Sequence, residues 1–347
     1  MKRFLQALAL ASLIPAFAFA QLDLQTIATV ELVRTEFISV KQLKTEVKKA
    51  ETQAKRTLTV ADRRKVLETM INERLVMQAA ERDKITVTEA EVNAPLQQAK
   101  TSMNTQLKRI ATDKEFEDAV KLETGMSQVD YKAQLRKQLI IQKYLFSKKK
   151  AFFESIAAPT EADINNAYDL SKSKLVRPDT VRFSMIFIAK GEGADAQKKS
   201  RALADKLVAE IGTNPSKFDE VSVRAGAPNS GYQAGDGGYL PKATESVQVV
   251  GSEFLNVAFS LKVGEVSRLL ENPRGFQIIK ITETYAQKTL ELNDAYQLGA
   301  RGTLREYIAN QLSQEIQQRA IDTASAELLN ELRAGKSFKI DEKLLNW

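Results

Sequence analysis

The 347-residue chain is 43% hydrophobic and 27% charged, a composition that is typical of globular protein and excludes a disordered chain. Its formal net charge is +7, and it contains neither histidine nor cysteine. A transition-metal site, a disulfide framework and a histidine-based hydrolase triad are therefore excluded, and we expect no metal and no cofactor. The length predicts two or three domains.

The N-terminus has the pattern of a secretory signal peptide. Two basic residues precede the apolar run 4–17, and Ala-Phe-Ala at 18–20 is a small-residue cleavage pattern. The run is shorter than the roughly 18 to 20 apolar residues of a membrane-spanning helix. We therefore expect an exported protein, with the periplasm as the simplest destination. Export also argues against nucleic acid as the partner of this basic chain.

The segment from Lys41 to about Ser173 has helical periodicity, because apolar residues return every three or four positions and glycine is nearly absent. One such stripe consists of Leu67, Ile71, Leu75 and Ala79. Thr88 and Thr160 each precede an acidic residue by three positions, which predicts two capped helix starts. The preceding segment 27–40 is rich in Val, Ile, Thr and Phe and predicts one or two strands.

After Pro178 the pattern changes to that of an α+β domain of about a hundred residues. Residues 181–188 alternate with a period of two, as a strand does. The predicted order is that strand, helices at 196–211 and 218–223, an irregular glycine-rich loop at 226–238, a helix at 252–261, and strands at 266–270 and 276–281.

This domain resembles the parvulin peptidyl-prolyl isomerase family. The resemblance lies in the strings Val181-Arg182-Phe183-Ser184-Met185-Ile186, Phe218-Asp219-Glu220-Val221, Gly235-Asp236-Gly237-Gly238-Tyr239-Leu240, the run from Phe254 to Val266, and Gly275-Phe276-Gln277-Ile278-Ile279-Lys280. With the signal peptide and the helical segments on either side, the whole chain is similar to the SurA/PrsA/PpiD group of exported foldases.

The resemblance implies an α+β protein in which a mostly helical, discontinuous chaperone domain carries an inserted parvulin-like domain. The expected parts are the signal peptide 1–20, the helical domain 21–175, the parvulin-like domain 178–285, and a C-terminal segment 286–347 that completes the helical domain. An amphipathic helix is predicted over 290–332, followed by a short strand at 338–340 that we expect to pair with the region 27–38. An independent or dimerising tail is the alternative.

The resemblance also indicates which catalytic groups are missing. The two histidines of the family correspond to Met185 and Gln277 here, and its loop aspartate or cysteine corresponds to a position near Ala227 or Pro228. An amide does not titrate, and a thioether is only a weak acceptor. These positions are therefore degenerate, and no catalytic residue is assigned.

The apolar part of the family's site matches this chain better. Val250 and Phe254 correspond to the aliphatic and aromatic walls around the proline ring, and Phe259 is expected to pack nearby. Together with Met185 and Gln277, they form the expected substrate-binding set. The resemblance therefore implies a site that keeps its shape and loses its polar network.

We expect from these observations a periplasmic chaperone of unfolded envelope proteins, whose parvulin-like domain binds proline-containing peptides with weak or no catalysis. An active isomerase is the first alternative, because rotation about the prolyl bond requires tighter binding of the twisted amide and no proton transfer. A non-catalytic envelope scaffold or dimerising protein is the second. The sequence leaves open peripheral contact with lipid headgroups and the choice between monomer and homodimer.

Overall fold

The computed structural model describes residues 24–347, so the predicted signal peptide lies outside the described residues. Contacts divide the chain into two compact units, which are described separately below. The first contains the residues up to Ala157 together with Ile316–Trp347, and the second is Ala158–Glu315. Over residues 24–347, no helix has the length and apolar character needed to cross a membrane.

The secondary structure consists of nine strands and twelve α-helices over the described residues. The strands are β1 (Thr26–Glu31), β2 (Thr35–Ser39), β3 (Val176–Arg177), β4 (Thr180–Ala189), β5 (Gln233–Pro241), β6 (Leu270–Asn272), β7 (Gly275–Tyr285), β8 (Lys288–Thr289) and β9 (Phe338–Ile340). The helices are α1 (Val40–Ala54), α2 (Val60–Arg82), α3 (Glu89–Leu107), α4 (Asp113–Thr124), α5 (Gln128–Lys148), α6 (Lys150–Glu154), α7 (Glu161–Ser171), α8 (Ala194–Ile211), α9 (Pro215–Arg224), α10 (Thr244–Val250), α11 (Ser252–Ser260) and α12 (Leu304–Ala334).

The first unit is built on a three-stranded antiparallel sheet in the order β2-β1-β9. The strand predicted near the C-terminus lies beside β1, with Ala28 opposite Ile340 and Val30 opposite Phe338. The predicted stripe on α2 is fully buried beneath this sheet, in one core with Ala324 and Leu328 from the second half of α12. Residues more than 280 positions apart in the sequence therefore share one hydrophobic core.

Helix starts in this chain are set by reciprocal side-chain caps. The two predicted at Thr88 and Thr160 are confirmed, and each threonine accepts from the backbone N–H three residues on while the acidic side chain accepts from the backbone of the threonine. The same capping box begins α1, α2 and α4. Each box satisfies two of the four unpaired donors at a helix start.

The second unit contains a four-stranded antiparallel sheet in the order β5-β4-β7-β6. Helices α8 and α9 cover one face, where Leu207 and Phe218 pack on Ile186 and Ile278. Helix α11 covers the other face, on which side chains of alternating residues of β4 and β7 form a second core. The sheet is therefore buried on both sides, and the predicted α+β class is confirmed.

The prediction of an irregular loop at 226–238 is wrong for the second half of this segment, which forms part of the edge strand β5. Its pairing with β4 shifts register between Phe183 and Ser184, so the strand contains a bulge. Gly238 adopts φ +79°, and a Cβ on Gly237 would lie 2.2 Å from a ring atom of Phe183. The glycines therefore allow an aromatic side chain and a bulge within one strand, which the sequence pattern alone does not distinguish from a loop.

Two further boundaries differ from the sequence expectations. The C-terminal helix begins at Leu304 instead of near residue 290, because the preceding residues form turns closed by backbone bonds from Leu304 N to Asp294 O and from Arg305 N to Leu292 O. Helix α7 packs with Leu290 and the first half of α12. Contacts consequently place 158–175 and 286–315 in the second unit, around a small core of their own.

Candidate functional site

Two neighbouring central strands bring the predicted site residues to one side of the sheet. Met185 of β4 lies opposite Ile279 of β7, and Phe187 lies opposite Gln277. Because side chains alternate between the two faces of a strand, Met185 and Gln277 lie on the same face. Helix α11 packs on this face through Phe254.

A cavity of about 210 Å³ opens on this face. It is lined by Val250, Gly251, Ser252, Glu253, Phe254, Leu270, Glu271, Asn272, Pro273 and Gln277. The structure therefore brings together Val250, Phe254 and Gln277, three of the five residues expected to bind substrate. The cavity volume accommodates a single side chain such as a proline ring. It is below the roughly 300–1,000 Å³ of drug-sized ligand sites.

The apolar wall of the cavity is fixed by a break between two short helices. Gly251 has φ +87°, a conformation that separates α10 from α11 and favours glycine. Val250 therefore ends one helix just before Phe254 occupies the first turn of the next. The Phe254 ring is 5% exposed and meets the ring of Phe183 edge-on, with 5.4 Å between centroids. This edge-to-face contact holds the aromatic wall in place.

The turn between β6 and β7 forms the opposite wall. The Asn272 Oδ1 atom accepts from the backbone N–H groups of Arg274 at 2.9 Å and Gly275 at 3.0 Å. These bonds fix the turn that carries Pro273. The sequence predicted a turn here, but gave no signal that it borders the site.

Charges at the mouth of the cavity are paired. Glu253 binds Arg268 at 2.6 Å, and Glu271 binds Lys190 at 2.7 Å and Arg201 at 3.3 Å. Among residues 24–347, the Gln277 amide has no hydrogen-bond partner, so it can donate to or accept from a bound peptide. The site can desolvate an apolar ring and offer neutral amide groups, but none of its lining groups is an imidazole.

The remaining predicted site residues lie outside this cavity. Met185 is half-buried and packs against the apolar cluster behind Phe254. Phe259 lies at the far end of α11, also half-buried, with Lys242 Nζ 5.5 Å from its ring centroid. Ala227 and Pro228 lie in the exposed turn after α9 and do not line the cavity.

The sequence pattern did not predict a charged cluster that lies on the same sheet. Arg182 binds Asp236 at 2.6 Å and Glu283 at 2.8 Å, so it joins β4 to both of its neighbouring strands. The Tyr285 hydroxyl donates to Glu283, and this contact raises the pKa of Tyr285 to about 12. These residues are adjacent only across strands, which is why their spacing in the chain gives no signal.

Comparisons with known proteins agree with this architecture. The SurA-like N-terminal domain family matches residues 3–145, and the PPIC-type PPIase domain family matches residues 159–297. A protein named chaperone SurA from Xanthomonas campestris is 23% identical over 277 residues, which are 78% of this chain and 53% of that protein. The chain thus spans about half the length of the SurA relatives it matches.

For one further relative and one solved structure, the match extends over a larger share of the other protein. A foldase protein PrsA from Clostridium botulinum is 25% identical over 286 residues, covering 82% of this chain and 74% of the relative. A solved SurA-like chaperone of Campylobacter jejuni is 15% identical and aligns with 91% of this chain and 100% of its own, with a TM-score of 0.38. This chain therefore carries a SurA-like N-terminal domain followed by a PPIC-type PPIase domain, and it is similar to proteins named chaperone SurA and foldase PrsA.

Proposed function

We propose that this protein is an exported chaperone that works in the periplasm and binds unfolded envelope proteins. In this proposal, the cavity at Val250, Phe254 and Gln277 binds proline-containing segments with weak or no isomerase turnover. The observation that carries it is a formed cavity with Val250 and Phe254 on one wall and Gln277, a neutral amide, at the position of a family histidine. The names of its relatives, chaperone SurA and foldase PrsA, support a role in protein folding.

The physical argument concerns which state of the peptide such a site stabilises. Amide resonance sets a rotational barrier of about 18–20 kcal/mol, and an enzyme lowers it only by binding the twisted amide better than either planar form. An apolar wall binds the proline ring equally well whether the prolyl amide is planar or twisted. Gln277 supplies an amide dipole that no hydrogen bond within residues 24–347 holds in place, whereas strong stabilisation requires several preorganised groups. We therefore expect binding without efficient turnover.

We further propose that the helical domain is discontinuous and is completed by the C-terminal segment. Support comes from β9, which pairs with β1, and from Ala324, Leu328 and Leu332 of α12, which are buried in the core of the first unit. On this proposal, the domain that holds client polypeptides requires both the segment before residue 158 and the C-terminal segment that contains β9. Monomeric and dimeric forms are both compatible with it.

An isomerase assay on the full chain tests the catalytic half of the proposal. Exchange between cis and trans forms of a short proline peptide is followed by NMR, together with the chemical shifts that report binding. We expect binding at the cavity and exchange close to the uncatalysed rate. An exchange rate comparable to that of an intact parvulin would contradict the proposal and favour the active isomerase.

A matched pair of variants assigns the binding to the cavity. Val250→Asp places a charge on the cavity wall, whereas Val249→Asp places the same charge on a neighbouring side chain that is 82% exposed and outside the cavity. Only the first is expected to weaken peptide binding. Equal effects of both substitutions would show that the peptide binds elsewhere.

Suppression of aggregation tests the chaperone half. An unfolded outer-membrane protein is diluted from urea, and light scattering is measured with and without a molar equivalent of the full chain. Reduced scattering is the expected result. Unchanged scattering combined with a stable dimer in sedimentation would favour the envelope scaffold instead.

A further inference from the structure

The first unit has a groove of its own among α3, α4 and α5, with a volume of about 310 Å³. It is lined by Asn93, Leu96, Gln97, Lys100, Asp113, Phe116, Gln128, Val129 and Lys132. Leu96 and Phe116 are largely buried and belong to a small hydrophobic cluster beneath these helices. At the rim, the Val129 side chain is 77% exposed. The groove therefore has an apolar floor and an apolar rim that water covers.

Three side-chain amides line the same groove. Over residues 24–347, Asn93, Gln97 and Gln128 make no side-chain hydrogen bond. A primary amide has two N–H donors and a carbonyl acceptor, so it can pair with both the C=O acceptor and the N–H donor of a peptide backbone. An extended polypeptide can thus satisfy the three amides while its side chains contact Leu96 and Phe116.

The charges of the lining favour an acidic occupant. Two lysines and one aspartate line the groove, so their formal sum is positive. Lys100 binds Asp113, whose side chain is 97% exposed, and lowers the pKa of that carboxyl. Lys132 binds Glu89 at 2.9 Å and shares it with Arg136. Because Asp113 is almost fully exposed, its ion pair stabilises little, and a carboxylate on the occupant can replace it as the partner of Lys100 at small cost.

We propose that this groove binds an extended segment of an unfolded polypeptide in which a large aliphatic or aromatic side chain stands next to an acidic residue. The volume is at the low end of ligand sites, which suits one or two side chains of a longer segment. The inference rests on the proposed chaperone function and assigns a second, proline-independent binding site to it. The amides contact the backbone of the segment, and Lys100 and Lys132 select its charge.

The test uses the full chain and a fluorescein-labelled, proline-free peptide of about nine residues with Leu-Phe-Asp at its centre, a length that lets an extended strand cross the groove. Affinity is measured by fluorescence anisotropy. A second peptide carries Lys in place of Asp. We expect the acidic peptide to bind about tenfold more tightly, as one well-placed charged hydrogen bond allows.

Two substitutions of equal charge assign the site. Val129→Glu changes the rim of the groove, and Leu122→Glu changes a side chain of α4 that is 87% exposed and does not line it. Both positions are exposed, so both variants are expected to fold, which circular dichroism checks. Val129→Glu is expected to weaken binding of the acidic peptide at least fivefold, and Leu122→Glu to leave it within about twofold, since only the first removes apolar contact.

The outcomes separate this site from the proposed function. Equal weakening by both variants, or no preference for the acidic peptide, overturns the groove even if the chain still suppresses aggregation. Selective weakening by Val129→Glu supports the groove even if aggregation is not suppressed, in which case the chaperone function alone fails.

Discussion

At the residue scale, one buried polar side chain holds the first β-hairpin. Gln78 of α2 is fully buried, and its Oε1 atom accepts from the backbone N–H groups of Leu32 at 3.0 Å, Val33 at 2.9 Å and Arg34 at 3.3 Å. Its amide nitrogen donates to Glu36 at 3.0 Å. A single glutamine thus satisfies the donors of the turn between β1 and β2, which no residue of the turn itself can do.

Replacing Gln78 by Leu should therefore destabilise the first unit. Three backbone donors lose their acceptor, and we expect a loss of about 2–3 kcal/mol because exposed parts of the turn can recover bonds to water. Urea unfolding followed by circular dichroism measures the change. The control is Gln53→Leu on the exposed side of α1, which should alter stability little. A similar loss in both variants would rule out the specific role of Gln78.

A second residue-scale prediction concerns the missing imidazoles. Met185→His combined with Gln277→His places two imidazole rings on the face that carries Phe254, and we expect the isomerase rate to rise about tenfold or more, because added hydrogen-bonding groups can stabilise the twisted amide. The control Ser184→His puts an imidazole on the opposite face of β4 and should leave the rate unchanged. NMR exchange on a proline peptide compares the three proteins. No gain in the double variant would mean that the site lacks more than its histidines.

At the element scale, the helix starts make stability depend on pH. Contact with Arg109 and with the backbone of Thr112 lowers the pKa of Glu115 to about 2, and the backbone of Thr88 with Lys143 lowers that of Glu91 to about 2. A carboxyl whose pKa is depressed in the folded state stabilises it above the ordinary value of 4.5. That contribution is lost as the pH falls from about 4.5 towards 2.

The thermal midpoint of the first unit should therefore fall between pH 5 and pH 2. Glu115→Gln keeps a capping side chain but cannot titrate, so its midpoint should vary less over that interval than that of the unmodified protein. Calorimetry at several pH values measures this. Glu123→Gln serves as the control, since this exposed residue of α4 makes no ion pair within residues 24–347. Identical pH profiles for both variants would argue against the assigned contacts.

The bulged strand β5 supports a second prediction at this scale. A Cβ on Gly237 would overlap the ring of Phe183, which in turn contacts Phe254 at the cavity wall, whereas a Cβ on Gly235 meets no atom within 4 Å. Gly237→Ala should cost about 1–3 kcal/mol through overpacking and weaken proline-peptide binding. Gly235→Ala should do neither. Urea unfolding and NMR titration check both effects, and tolerance of both substitutions would show that the ring moves freely.

An element could be predicted when the residues that determine it are neighbours in the sequence, and could not when they lie on another strand. Capping boxes and the alternation in β4 are local patterns, so α3, α7 and β4 were predictable from neighbouring residues. The glycines of β5 were predicted to lie in a loop because the need for one of them, Gly237, comes from the Phe183 ring on another strand. Likewise Val250 and Phe254 were found through resemblance, but the turn at Asn272 and Pro273 joins the cavity only through the pairing of β6 with β7.

At the scale of the whole molecule, the two ends of the described chain meet in the first unit. Strand β9 forms one edge of its sheet, and Leu345 is buried in its core. A chain that ends after Gly335 should therefore show a lower unfolding temperature for the first unit, while the second unit, whose residues end at Glu315, should unfold as before. Differential scanning calorimetry resolves the two transitions. An unchanged first transition would contradict this role of the C-terminal strand.

The sequence by itself determined the helical composition of the first unit, the capped helix starts at Thr88 and Thr160, the strand periodicity of β4 and the absence of every imidazole. Each of these is a property of residue types or of neighbours within one or two turns. Only the tertiary structure decided which strand within 27–38 pairs with β9, namely β1, that Gln78 satisfies a distant turn, and that two cavities form. Those features arise from contacts between residues far apart in the chain, and local propensities carry no information about such contacts.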